Sequence, residues 1–215
     1  MNEAKPMFTG ESAMPMSLPA MLVEPVTLRG ERVQLEPLEL EHADALFAAA
    51  QDPAIWQFLP RALLARADLD AVVYEALIAR DTGAELPFAI RDLQSGKIVG
   101  STRYLAISAA NRGVEIGWTW HHPSVWRTRV NSECKYLLAR HAFETLGVIR
   151  LQLKTDQRNL RSQTAIARLG AVREGVWRSH MILPGGYVRD TVFYSIIAAE
   201  WPAVKERLER VLQAK

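Results

Sequence analysis

EIGWTWHHPSVWRTRVNSECKYLLARHAFETLG, residues 115–147, decides how this chain folds. Its first residues, with Val114, have the β-branched and aromatic content of a strand over 114–120, and 131–146 has the apolar spacing of an amphipathic helix. The connection carries Arg127 and Arg129, and Asn131 and Ser132 stand where the helix should begin. Asn and Ser are N-cap types, whose side-chain oxygens accept hydrogen bonds from first-turn amides. A helix N-terminus with free N–H groups and two guanidiniums beside it is an anion site, of a size that suits a pyrophosphate.

On the N-terminal side, residues 1–24 lack any period and carry three prolines, which predicts a flexible arm or one laid across a partner subunit. Residues 26–38 alternate as a strand or hairpin around Gly30. Residues 39–50 read as a helix with Leu40, Ala43, Leu46 and Phe47 on one face, and 61–79 as a second helix after Pro60. Strands follow at 86–92, 97–107 and 114–120, separated by LQSGK and SAANRG turns. After the central helix, VIRLQLKT (148–155) alternates as a strand, and 159–169 is a short helix ended by Gly170, a residue type suited to the C′ position. Two strands, 172–177 and 188–197, flank the LPGGY turn, and 201–212 closes the chain as a helix with Pro202 in its first turn. The order predicts one α/β (α+β) domain over 25–215, with a mixed, twisted sheet of about seven strands flanked by helices.

Composition narrows the class further. In 215 residues, 49% are apolar and 23% charged, the profile of a globular domain with one sizeable core. A formal net charge of +2 without a basic run argues against nucleic acid as partner. Cys134 is the sole cysteine, which excludes an internal disulfide framework and a cysteine-based zinc site. No apolar run approaches the ~20 residues of a membrane span, and the N-terminus makes a poor signal peptide. The expectation is a cytoplasmic protein without metal and without a membrane partner, as a monomer or a homodimer.

Taken together, the element order and four segments resemble the GNAT superfamily of acyl-CoA-dependent N-acetyltransferases, and most closely its RimJ/RimL-type branch. The segments are EIGWTW (115–120), WRTRVNSECKYLLARHAFETLG (126–147), NLRSQTAIARLGAVREG (159–175) and RDTVFYSI (189–196), the last followed by Glu200-Trp201. The similarity runs from about Val26 to Trp201, and the 159–175 segment is its most specific part. In that family a loop of pattern Q/R-x-x-G-x-G/A wraps the coenzyme A pyrophosphate with backbone amides. The matching stretch here is Trp126, Arg127, Thr128, Arg129, Val130 and Asn131, followed by Ser132, with Arg129 at the usual glycine. Glycine allows close approach and positive φ, and arginine allows neither easily. Two readings follow: amides near Asn131 and Ser132, helped by the Arg127 and Arg129 guanidiniums, still hold phosphate, or the site has decayed.

The resemblance implies further roles. The strand over Trp118, Thr119 and Trp120 would part from its neighbour and pair its backbone with the pantetheine arm and the thioester carbonyl, while the indoles pack on the sheet. Glu115 would accept the proton of an attacking ammonium if buried; the alternative is a surface glutamate paired with Arg103 or Arg112. The family often has a tyrosine as acid for the leaving thiolate, and that position here is Ile166. RimJ/RimL-like enzymes use a serine at the position of Ser162, which otherwise is a helix-cap serine. Asn159 would bond the pantetheine arm, cap the helix, or do both. His121 and His122 read as solvated loop residues, Glu133 and Lys135 as a solvated helix face, and Cys134 as a small core residue. Trp56, Phe58 and Tyr194 line an acceptor pocket or belong to the core, and Asp190 and Thr191 end a hairpin.

The resemblance thus implies acetyl-CoA as co-substrate in an opening between the strands at 114–120 and 148–155, and direct transfer of the acetyl group to a primary amine, either a protein N-terminus or a small molecule. A non-catalytic acyl-CoA sensor of the same fold is the alternative that Arg129 and Ile166 favour. A nucleotide-binding protein would use the same helix start, but GxxxxGK[ST] and GxGxxG are both missing from the sequence.

Overall fold

The computed structural model describes residues 20–213. Its strands are β1 (Leu28–Arg29), β2 (Val33–Pro37), β3 (Leu86–Asp92), β4 (Ile98–Ser108), β5 (Gly113–His121), β6 (Arg150–Asp156), β7 (Val172–Ile182) and β8 (Val188–Ile197). The helices are α1 (Ala43–Ala49), α2 (Arg66–Asp81), α3 (Val130–Arg140), α4 (Leu160–Leu169) and α5 (Trp201–Gln213). All eight strands form one sheet in the order β1-β2-β3-β4-β5-β6-β8-β7. The pairings are antiparallel except β5 with β6, which are parallel because α3 crosses over between them. The eighth strand beyond the expected seven comes from the hairpin around Gly30, whose first arm is two residues long.

Two apolar layers sandwich the sheet. On one face, Val114 and Ile116 of β5, Leu151 and Leu153 of β6 and Val192, Tyr194 and Ile196 of β8 meet Leu137, Leu138, Ile166, Leu169, Trp201 and Leu208 of α3, α4 and α5. On the other, α1 and α2 pack over β3 and β4, with Leu46, Leu69, Val72 and Trp56 against Ala89, Ile98 and Trp120. The alternation read from β6 therefore separates two environments: Leu151 and Leu153 enter the core, while Gln152 and Lys154 face the opposite side.

Several boundaries differ from the sequence expectation. Helix α2 starts at Arg66, not after Pro60, because the intervening chain turns to bury Leu63. The central helix begins at Val130 and gives way at His141 to a π-helical turn through Thr145. There the Tyr104 hydroxyl donates to the Leu138 carbonyl at 2.5 Å, occupying an acceptor of the helical ladder. Strand β7 runs on to Ile182 through a wide irregularity between Trp177 and Met181, where Ser179 has φ 51°. Asp190 and Thr191 lie inside β8 instead of ending a hairpin, because β8 already begins at Val188. Of the arm expected over 1–24, residues 1–19 lie outside the described residues, and Met21 is buried against the core.

Candidate active site

Strands β5 and β6 pair only at Gly113 with Arg150, Val114 with Leu151 and Glu115 with Gln152. Beyond that point they part. β6 stays on β8 as far as Asp156, which pairs with Thr191, and β5 stays on β4, so a wedge opens between them. β5 also carries a bulge at this level: Gly117 pairs with Arg103 and Trp120 with Ser101, leaving Trp118 and Thr119 opposite Thr102 alone. Trp118 has φ 49°, a strained conformation for a bulky residue, and such strain gathers at functional sites. Gly117 is required beside it, since a Cβ there would come within 2.7 Å of Leu105 Cδ2 and 3.0 Å of Glu115 Oε1. Trp120 is buried against Trp56, with ring centroids 5.2 Å apart, and the half-buried Trp118 ring lies 5.2 Å from the Arg103 guanidinium.

One side of the wedge is built by the start of α3. A short 3₁₀ turn at Pro123–Val125 leads to Trp126, whose indole N–H donates to the His121 carbonyl at 2.8 Å. Arg127 takes φ 62°, a left-handed conformation two residues before the position of the family's glycine, where Arg129 is helical. Thr128 Oγ1 accepts from the Val130 amide at 3.3 Å and donates to the Val125 carbonyl at 2.7 Å. The N-cap is Arg129, which offers no side-chain cap, so Asn131 and Ser132 fall in the first turn rather than ahead of it. Asn131 Oδ1 lies 3.2 Å from His121 Nε2 instead of capping. The two expected guanidiniums have different fates. Arg127 is exposed, whereas Arg129 is drawn away to Glu31 at 2.8 Å and Glu133 at 3.6 Å. Arg161 at the start of α4 reaches the loop, its guanidinium stacked over Trp126 at 4.3 Å from the ring centre.

Glu133 and Lys135 are buried, contrary to the solvated face expected of them. Glu133 accepts the backbone N–H groups of Glu31 (2.6 Å) and Arg32 (3.1 Å), locking the β1–β2 turn onto α3. A Cβ at Gly30 would sit 2.1 Å from this carboxylate, which is why glycine occupies the turn. Lys135 donates to Thr119 Oγ1 at 2.6 Å, and Thr119 Oγ1 lies 2.7 Å from Thr102 Oγ1. Burial lowers the Lys135 ammonium to about 8. His121 is lowered to about 4 by burial, and also by the nearby charges of Lys135 and Arg161, so it is a neutral imidazole tucked in the wedge and not a solvated one. Cys134 is fully buried, its thiol pushed up to about 12 by burial, an inert core residue.

On the opposite face, Glu115 is 2% exposed and Oε2 is held by Lys154 Nζ and Gln152 Nε2, each at 3.0 Å. Arg103, one of the partners considered from sequence, pairs with Glu85 at 2.7 Å instead. Across β8, His180 Nδ1 lies 2.9 Å from Thr191 Oγ1 and packs with Trp177 around Phe193. Asp156 is clamped by Arg158 at 2.8 Å, and the Arg158 guanidinium lies over both Tyr187 and Phe58. Of the aromatics considered for an acceptor pocket, Trp56 and Tyr194 are buried in the core, and Phe58 alone reaches this surface, through Arg158.

The α4 residues complete the wedge. Asn159 Oδ1 accepts from the Ser162 amide at 3.0 Å, so Asn159 is the N-cap. The half-buried Ser162 lies on the inward side one turn before Ile166, which is 6% exposed and belongs to the core.

Residues 32–172 match the family described as Acetyltransferase (GNAT) domain, about two thirds of the chain. This chain belongs to the GNAT acetyltransferase family. A protein of T. thermophilus assigned as an acetyltransferase has a solved structure 39% identical in sequence, with TM-score 0.80, covering 89% of this chain and 100% of that one. A GCN5-related N-acetyltransferase from Brucella melitensis is 30% identical with TM-score 0.81, over 87% and 86% of the two chains. Mycobacterium smegmatis RimJ, solved in complex with CoA-disulfide, shares the fold at 21% identity and TM-score 0.77, over 87% and 95% of the chains.

As a GNAT domain the molecule departs from the family's glycine-rich loop in sequence, and Arg129 at the usual glycine is in helical conformation. Four wedge residues were not singled out from the sequence: Lys154, Arg161, His180 and Arg189. Lys154 alone had a local signal, since it alternates with Gln152 on the strand face that carries Glu115. Arg161, His180 and Arg189 come from segments 40 or more residues away from β5, and nothing local marks them. Among the described residues no helix is long and apolar enough to cross a membrane, and no group of three or more His, Cys, Asp and Glu could hold a metal ion.

Proposed function

We propose that this protein is an acetyl-CoA-dependent N-acetyltransferase of the RimJ/RimL-like branch, moving an acetyl group directly to a primary amine on a protein N-terminus or a small molecule. The observation that carries the reading is the wedge itself: two strands that part after three pairs, a bulge at Trp118 on one lip, and an uncapped helix start beside it. Acetyl-CoA supplies the activated acetyl group as a thioester. First-turn amides at Asn131 and Ser132, with Arg127 and Arg161, offer the positive field that a pyrophosphate needs, while Trp126, Thr128, Arg129 and Val130 shape the loop around it. Backbone N–H groups between Trp118 and Trp120 lie on the lip that β6 leaves unpaired. They are positioned to stabilise negative charge that develops on a carbonyl oxygen there. The pantetheine arm would run between that lip and Asn159.

Glu115 takes the role of base. It faces the side away from α3, so an amine arriving there meets a carboxylate kept within 3.0 Å of Lys154, while Oε1 turns toward Gly117 and the bulge. The carboxylate receives the ammonium proton directly or through one water, and the neutral amine then attacks. Ser162, with no tyrosine one turn on, is the hydroxyl placed to return a proton to the leaving thiolate, with solvent as the other donor. Neither a metal nor a covalent enzyme intermediate is called for, and positioning supplies most of the acceleration.

The apolar Ile166 favours one second reading, a non-catalytic acyl-CoA sensor. Thiol release from acetyl-CoA over a panel of amines, run beside calorimetry with CoA, separates the two. Turnover with any amine supports the enzyme, and CoA binding without turnover supports the sensor. Absence of both binding and turnover overturns the proposal.

A further inference from the structure

The face of the sheet that carries Glu115 has its own charge arithmetic. Glu115 is paired with Lys154 and Asp156 with Arg158. Arg189 is a buried cation left without a partner, unlike the exposed Arg178 nearby. It is 6% exposed, its Nε is buried without a partner, and among the described residues it forms neither a hydrogen bond nor an ion pair. A largely buried guanidinium whose Nε–H has no acceptor is costly, and such groups are normally matched by a carboxylate or phosphate. Burial lowers its proton affinity, and the fields of Asp156 and Glu115 restore part of it.

Its position is specific. Val192, Tyr194 and Ile196 of β8 point into the core beneath α3 and α4, so Arg189 shares the opposite face with Thr191 and Phe193. His180 is bonded to Thr191, which shares its strand face with Arg189, and the charges of Lys154, Arg189 and Glu115 all reach its ring. The Trp177–Met181 irregularity of β7 opens a depression beside them, lined by Trp177, Arg178, Ser179, His180 and Asp190. His180 lines that depression, so the group of residues around it meets solvent there.

We infer that Arg189 is a specificity-determining residue that binds an anionic group of the acceptor, so that the preferred acceptor is a small primary amine carrying a carboxylate. This rests on the acetyltransferase reading and narrows it. The planar fork of arginine matches a carboxylate in bidentate geometry. A guanidinium this deeply buried admits a small planar anion on a short tether, and the Glu115 charge is felt at its position. Lys154 and Arg158 do not compete for that anion, because Glu115 and Asp156 already neutralise them.

The test compares matched acceptors in the acetyl-CoA thiol-release assay: amino acids against the amines that lack only the carboxylate, with aminomethylphosphonate-type and aminosulfonate analogues as the arms that separate carboxylate from other oxyanions. A short peptide with a free N-terminus and amidated C-terminus is the protein-like control. The expected result is a kcat/KM about 10- to 100-fold higher for the carboxylated member of each pair, a ratio that collapses toward one in Arg189→Gln and survives in part in Arg189→Lys. Calorimetry on the CoA-bound protein should show the same order of affinities with the amino acids alone. Equal kcat/KM for both members of every pair, preference for the amidated peptide, or preference for phosphonate or sulfonate overturns the inference of a carboxylate while leaving acetyl transfer in place. No turnover of any amine, with CoA bound, instead removes the reading on which it rests. Should Arg189→Gln fail to fold, the preferences of the unaltered protein and of Arg189→Lys decide the matter.

Discussion

The two sides of the wedge between β5 and β6 are built from different materials. Toward α3 and α4 the surface is made by backbone: the bulge at Trp118, the positive φ of Arg127 and an uncapped helix start. Toward the far face it is made by charged side chains in set pairs, Glu115 with Lys154 and Asp156 with Arg158, with Arg189 unmatched. Backbone geometry tolerates a change of residue. Arg129, where the GNAT pattern has glycine, takes ordinary helical angles, and its guanidinium pairs with Glu31. A side-chain lattice has no such tolerance, because removing one partner strands a buried charge. The difference teaches that donor binding in this chain is expected to be robust to substitution, and acceptor handling sensitive to it.

Glu115→Gln is the sharpest way to break that contrast. It preserves shape and the contact with Gln152 but cannot take a proton, so kcat should fall about 100- to 1000-fold, the range of a lost general base. The affinity for CoA, read by calorimetry, should stay within about threefold of the unaltered protein. A kcat reduced less than tenfold would move the base elsewhere, with His180 next in line. Burial and the nearby Lys154 and Arg189 hold His180 below its ordinary value, so it is a neutral imidazole at pH 7.

Lys135 tests the donor side through stability. Its folded value, about 8, lies below its ordinary 10.5, so the cost of burying the charge is fully present below pH 8. As pH rises from 8 to 10.5 the folded state releases a proton that the unfolded state still holds, and stability increases across that window. Lys135→Met should therefore raise stability at pH 7 by on the order of 2 kcal/mol, the burial cost less one lost hydrogen bond to Thr119, and flatten the alkaline rise. Denaturant melts at pH 7 and 10 check both signs. An unchanged rise would mean that the ammonium is solvated.

A smaller effect sharpens the division of labour at the helix start. Arg127→Glu with Arg161→Glu should weaken CoA binding roughly 30-fold at low salt and less as salt is raised, as screened phosphate contacts do. Arg129→Glu should act mainly on the melting temperature, because its guanidinium serves the β1–β2 turn. If Arg129→Glu weakens CoA as much as the double reversal, the assignment of phosphate contacts is wrong. Least is expected of Ser162→Ala: about a tenfold loss in kcat if the hydroxyl returns the proton, and none if solvent does.

The order of elements, the single mixed sheet and the crossover of α3 followed from hydrophobic period and turn chemistry, which are local properties. The same holds for Asn159 as a cap, a side chain that acts on its own turn. Even Cys134, inert in the core, was readable from its place among apolar helix positions.

Lys135 and Glu133 mark the limit of such reading. On a helical wheel they look like solvent-facing residues. They are buried because β1–β2 and the β5 bulge arrive from elsewhere to accept their charges. Where Arg129 points, what neutralises Glu115, and which cation on the far face has no partner were likewise decided by contacts between segments distant in sequence. A charge has no period to reveal its partner. What the sequence determined by itself was the scaffold, while the place where the strands part was implied by the resemblance to the family. The tertiary structure alone decided which charges remain free at that place, because Coulomb interactions act through space and not along the chain.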